Sequence, residues 1–186
     1  MYKLMKLFQD SFHELKDIRA LVTTAMFLAI AVVLEFYSLQ ITDFIKISFS
    51  FLADEMTGLM FGPVVGTVMG AAADLVKYLV HPTGAFFPGF TISGAISGMI
   101  YGVILYKKPL QVRRILFANG LVMIFVNILL NTYWLTLLYG QGFMAILPVR
   151  VLKEIILFPI DVVLFYSVSK VMKKTHILMS LRGKSA

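Results

Sequence analysis

The chain has 186 residues, 59% of them hydrophobic and 15% charged, with a mean hydropathy of +0.86; one water-soluble core of this size cannot hide so much apolar surface, so the composition indicates an integral membrane protein. With no cysteine, disulfides, thiolate metal sites and a Cys nucleophile are excluded. The formal charge of +7 does not indicate nucleic acid, because the basic residues flank apolar runs in the positive-inside pattern of a membrane protein.

The N-terminal stretch MYKLMKLFQDSFHELKDIRA is charged and amphipathic. It lacks the short apolar core and small-residue cleavage site of a removable signal, so residues 1–19 are expected to persist as a cytoplasmic amphipathic segment. Span one is predicted from Thr23 to Leu39, within an apolar run that begins near Ala20. Ala25 and Ala29 have small-xxx-small spacing on it, a surface that another helix can approach closely. Glu35 and Tyr37 fall near its far end, and Gln40 to Asp43 form a polar turn. Span two is predicted from Phe44 to Phe61, interrupted by Asp54 and Glu55, before Gly62-Pro63 breaks the chain at the opposite face.

Span three, Val64 to Val80, follows the series Gly62, Gly66, Gly70 and carries Ala71-Ala72-Ala73, a low-bulk face suited to tight helix packing. Asp74 and Lys77 stand one turn apart near its end and are expected to pair locally. HPTGAFFPGF, His81 to Phe90, is a loop by its Pro and Gly content, but Phe86, Phe87 and Phe90 make it too apolar for an ordinary solvent loop. They either enclose something aromatic or anchor the loop at the bilayer interface. Span four, Thr91 to Tyr106, bears a second glycine series at Gly94, Gly98 and Gly102, and KKPLQVRR stops it. Span five, Ile115 to Tyr139, sets Asn127, Asn131 and Trp134 on one side of a regular helix, for ligand contact or for bonding between helices.

Span six is predicted from about Phe143 to Val171 and contains LPVRVLKEIILFPID. A cation at mid-membrane costs roughly 2.5–3.5 kcal/mol, so Arg150 and Lys153 are expected to face a cavity or partner rather than lipid. At about 100° per residue, Arg150, Glu154 and Asp161 share one narrow sector, with Lys153 beside it. Arg supplies a planar fork for carboxylate, Lys a movable point charge, and aromatic faces supply stacking. The set suits a ligand that joins carboxylates to a flat ring system, although phosphates or lipid head groups would suit a basic-plus-aromatic cluster too.

The predicted fold is therefore all-α, one membrane domain over 1–186 with six transmembrane helices, both termini cytoplasmic and a cytoplasmic tail at 175–186. On that topology Lys3, Lys6, Lys16, Arg19, Lys107, Lys108, Arg113, Arg114, Lys170, Lys173, Lys174, Arg182 and Lys184 lie inside. Lys46, Lys77, Arg150 and Lys153, the other four of the 17 basic residues, fall toward the outer half, where the rule predicts a deficit.

FGPVVGTVMGAAADLVKYL, PTGAFFPGFTISGAISGMIYG and PVRVLKE together resemble the folate-specific group of substrate-binding S components of energy-coupling-factor (ECF) vitamin transporters. The resemblance extends from Ala20 to Lys174. It implies a six-helix protein of the prokaryotic plasma membrane that captures its vitamin from outside and reorients to release it inward. It also implies that Ala25 and Ala29 match the family's docking surface for a transmembrane coupling subunit bearing two ATPases. No G-x-x-x-x-G-K-[ST] loop occurs here, so hydrolysis is expected in those partners and the chain is not expected to be an enzyme. No cofactor or metal is expected.

In this reading Arg150 and Lys153 hold the vitamin's anionic groups, with Lys77 or Lys46 assisting. Phe86, Phe87, Phe90 and Trp134 enclose the flat rings, and Asn131, Asp74 and Glu35 offer hydrogen bonds to a pterin edge. The rivals are an S component for another vitamin or small aromatic acid, a scaffold subunit and an intramembrane enzyme. His13, His81 and His176 are far apart in sequence and no H-E-x-x-H occurs, which argues against the last.

Overall fold

The computed structural model describes residues 2–42, 45–82 and 84–174. The expected tail at 175–186, together with Asp43 and Phe44 of the first connection, lies outside the described residues. An amphipathic helix α1 (Tyr2–Glu14) leads into α2 (Ile18–Phe36), whose first turn is capped by the Asp17 carboxylate accepting from Arg19 N–H at 2.9 Å. Then come β1 (Leu39–Thr42), β2 (Ile45–Ile47), α3 (Phe51–Val80) and α4 (Pro88–Leu105). A long composite helix follows, made of α5 (Val112–Leu121), a π-helix (Val122–Leu130) and α6 (Asn131–Tyr139), and α7 (Phe143–Lys174) ends the series. Among the described residues, five helices are long and apolar enough to cross a membrane: α2, α3, α4, the composite and α7.

The second of these, α3, doubles back. Gly62 has φ 88° and ψ −170°, a conformation only glycine adopts without strain, and Pro63 then restarts the helix where a missing N–H costs nothing. Lys77 Nζ lies 3.7 Å from Asp54 and donates to Ser50 at 3.2 Å; a straight helix would hold Asp54 and Lys77 about 34 Å apart. The two halves therefore lie antiparallel, and the helices number five or six according to whether the short half 51–61, about 16 Å long, is counted as a span. Ser11 of α1 closes this turn. Its Oγ donates to Phe61 O at 2.7 Å and accepts from Val64 N–H and Val65 N–H at 2.9 and 3.3 Å, serving as an N-cap supplied from another helix.

The two glycine series meet. A Cβ on Gly98 would stand 2.0 Å from Gly66 O, and one on Gly70 would stand 2.1 Å from Gly94 O, so α3 and α4 pack backbone against backbone. Met56, Leu59, Tyr101, Leu105, Ile115, Val126 and Phe165 fill the inner half of the bundle from four directions. Lipid-facing sides remain apolar, as on α7, where Leu152, Ile155, Ile156 and Val163 are all exposed.

Two departures from the sequence expectation concern local structure. Span one stops at Phe36, and in place of a polar turn leading into a helix there is an antiparallel ribbon of β1 and β2, with Leu39 opposite Ile47 and Gln40 opposite Lys46. Leu39 to Thr42 and Ile45 to Ile47 each alternate apolar and polar side chains, the period of a strand rather than a helix. Lys46 thus stands on a strand beside the bundle, not in a span. Within span five the π-helix widens the turn around Asn127, so the regular spacing assumed from Asn127 to Asn131 and Trp134 does not apply, while Asn131 and Trp134 share the regular helix α6.

Candidate functional site

A cavity of about 410 Å³ opens between the β-ribbon, the 81–87 loop, both halves of α3, α4, the composite helix and α7. That volume lies in the range of pockets that enclose a drug-sized molecule, about 300–1,000 Å³. Of the eleven predicted ligand residues it gathers ten: Glu35, Lys46, Asp74, Lys77, Phe86, Phe87, Phe90, Asn131, Arg150 and Lys153.

On α7, Arg150, Lys153, Glu154, Leu157 and Asp161 line the cavity in succession, over about 16 Å of helix from first to last. Arg150 is 7% exposed, and its Nη2 donates to Asn127 O at 2.9 Å. The π-helix makes that carbonyl available, since its wider turn disturbs the usual ladder of backbone bonds. Glu154 accepts from Asn127 Nδ2 at 3.1 Å and from Lys153 Nζ at 3.2 Å, so the two cations are held by a carboxylate and an amide on neighbouring helices. The predicted seam exists, and there is room beside it for a guest.

At the mouth, Glu35 forms an ion pair with Lys46 and accepts from Ser48 Oγ at 3.0 Å and Ser50 Oγ at 3.1 Å. Ser50 in turn accepts from Lys77. This network ties the end of α2, the ribbon and both halves of α3 together. The expected local pair of Asp74 with Lys77 is replaced by two other contacts: Asp74 accepts from Thr91 Oγ1 at 2.6 Å, and Lys77 faces Asp54. Both are possible only because α3 folds back and α4 lies against it.

Phe86, Phe87 and Phe90 of the aromatic segment line the cavity. Phe86 rests against Tyr78 with ring centroids 5.1 Å apart, and Phe87 meets Phe90 edge to face at 6.2 Å. Trp134 is not among the lining residues. It stacks behind Phe87 at 5.6 Å and donates from Nε1 to Ser93 Oγ at 3.1 Å, supporting the aromatic wall from outside. Sequence reasoning noted Glu55 only as an interruption and missed Tyr101 entirely; both line the inner part of the cavity. A buried carboxylate in an apolar span was the available signal for Glu55, whereas a tyrosine in a helix carries none.

Comparison with known proteins agrees with this architecture. A folate transporter FolT of Clostridium novyi is 35% identical over 165 residues, covering 88% of this chain and 95% of that protein. A folate transporter FolT of Leuconostoc mesenteroides is 33% identical over 156 residues, covering 81% and 84%. A crystal structure of FolT bound with folic acid superposes with a TM-score of 0.76 at 35% identity, covering 82% of this chain and 93% of that one. Residues 19–169 match the family described as ECF transporter, substrate-specific component. With its helical bundle, its enclosed cavity and that match, the chain belongs to the substrate-specific components of ECF transporters.

Proposed function

We propose that this protein captures folate from outside the cell in the cavity described above and delivers it inward after docking onto a transmembrane coupling subunit served by two ATPases. The observation that carries the reading is the convergence, on one enclosed volume, of Arg150 and Lys153 with Phe86, Phe87 and Phe90. Folate presents two carboxylates at one end and a flat pterin at the other, which is the combination those side chains suit. Its relatives named as folate transporters, and the related fold with folic acid bound, support the same substrate.

A six-span topology, with the short half of α3 counted as a span and both termini cytoplasmic, is supported by charge. Exposed Lys107, Lys108, Arg113, Lys170, Lys173 and Lys174 belong to the end where α1, the Gly62 turn and the last turn of α7 meet, while the cavity mouth lies at the other end. The protein would reside in the prokaryotic plasma membrane.

The chain has one tryptophan, and Trp134 abuts the cavity wall through Phe87, so its emission should report occupancy. Folate added to the purified protein should quench it saturably. Absence of quenching, together with no folate retained on dialysis, would overturn the substrate assignment; retention of a different vitamin would move the protein to a sister specificity.

A further inference from the structure

At the end of the bundle away from the cavity mouth, α1 turns Ser11 inward to cap the Gly62 turn. On one flank of that inward face Glu14 accepts from Tyr106 Oη at 2.8 Å and Asp10 from Lys107 Nζ at 2.9 Å, both just past the end of α4. The other flank is apolar and open. At about 100° per residue, Met5, Phe8 and Phe12 fall within about 60° of one another there. Met5 and Phe12 are exposed, and with Gln9, His13 and Val64 of α3 these side chains line a groove between the two helices.

Two observations indicate what covers this groove. Its α3 wall continues from Val64 into exposed Val68, Leu75 and Leu79 on the same face of the helix, so the groove opens onto the hydrocarbon-facing side of the bundle. At its rim stands Lys16, with Nζ 5.8 Å from the centre of the Phe12 ring. The acids nearby are turned elsewhere: Asp10 to Lys107, Glu14 to Tyr106, and Asp17 to the N–H of Arg19. Lys6, Lys16 and Arg19 are exposed, so this rim is cationic. A basic rim alone would suit any anion and an apolar groove any acyl chain, but their junction suits a molecule that joins the two. We propose that the groove between α1 and α3 is a binding site for an anionic phospholipid, with an acyl chain along Phe8, Phe12 and Val64 and the head group at Lys16. The lipid holds α1, and with it the cap on the Gly62 turn, from outside the protein. This site is separate from the cavity and does not depend on the folate reading.

The test offers the full chain, purified in detergent, equal amounts of phosphatidylglycerol and phosphatidylcholine with the same acyl chains, and reads the bound lipid by native mass spectrometry. Phosphatidylglycerol should be retained in preference by about fivefold or more, the selectivity that one cation confers toward a head group of net negative charge. In Lys16→Gln that preference should fall to within about twofold. Lys174→Gln, which removes the same charge from the end of α7, should keep it. No preference in the native chain overturns the proposal, because the groove then takes acyl chains whatever their head group. Equal losses in the two variants overturn it as well, since the charge of the whole end, and not a site, then sets the selectivity. Retention of neither lipid overturns it too and leaves the groove to a protein partner.

Discussion

Arg150 is the side chain through which the site is most directly tested. It is almost wholly buried, held by the Asn127 carbonyl, and turned to the cavity. Arg150→Ala removes the planar fork and leaves an anionic guest without its partner, a loss of about 2–5 kcal/mol in binding. Folate affinity measured by calorimetry should fall by about thirtyfold at least, while Arg150→Lys, which keeps the charge without the fork, should fall between the two. Equal affinity in all three proteins would remove Arg150 from the site. That this residue faces a cavity was legible in the sequence, because a cation amid lipid is costly whatever the fold. Trp134 was not. At about 100° per residue, Leu135 and Leu138 fall within about 40° of Asn131, and both line the cavity, whereas Trp134 lies about 60° from Asn131 and turns to Ser93. Placing Asn131 and Trp134 on one side of the helix allowed those 60°, and the lining face of α6 does not reach that far on the side of Trp134.

At the scale of elements, the closest contact in the bundle is the one the glycine spacing announced. Gly66, Gly70, Gly94 and Gly98 share it, and a Cβ at Gly98 would meet the Gly66 carbonyl at 2.0 Å, backbone that cannot swing aside. Gly98→Ala should therefore force α3 and α4 apart and lower stability by about 1–3 kcal/mol, with some loss of folate affinity, since Asp74 and Thr91 bridge the same pair of helices. Gly120→Ala is the matched control: nothing lies within 4 Å of its would-be Cβ, and alanine is the better helix former by about 1 kcal/mol. Thermal melts of the two proteins in one detergent should move in opposite directions. The clasp of α1 is a separate case. Ser11→Ala strips the cap from the restart of α3 and should lower the melt by an amount equivalent to about 1–3 kcal/mol, with folate affinity preserved because the cavity opens at the other end. Ser11 was illegible beforehand: one serine in an amphipathic helix gives no sign that a turn some fifty residues later will need its oxygen. The β-ribbon, by contrast, was written in the alternation within Leu39 to Thr42 and again within Ile45 to Ile47, and was obscured by the long apolar run that follows it.

For the whole molecule, the question is what meets the far side of α2. This helix buries Ala20, Thr23, Ala31 and Glu35 against the bundle and leaves Ala25, Ala29 and their neighbours Val22, Met26 and Val33 exposed. Exposure of apolar residues is ordinary for a surface bathed in lipid, so it does not by itself distinguish a docking face. Bulk does. Lipid chains are fluid and accept leucine as readily as alanine, whereas a helix packed against small residues at close range cannot. Ala25→Leu and Ala29→Leu should therefore leave folding and folate capture by the isolated protein unchanged. In cells that also make the coupling subunit and its ATPases, the same substitutions should depress folate uptake and the co-purification of the complex. If uptake is undisturbed, α2 faces lipid and the coupling subunit engages another side of the bundle. If folate capture itself is lost, the alanines serve the fold rather than the assembly.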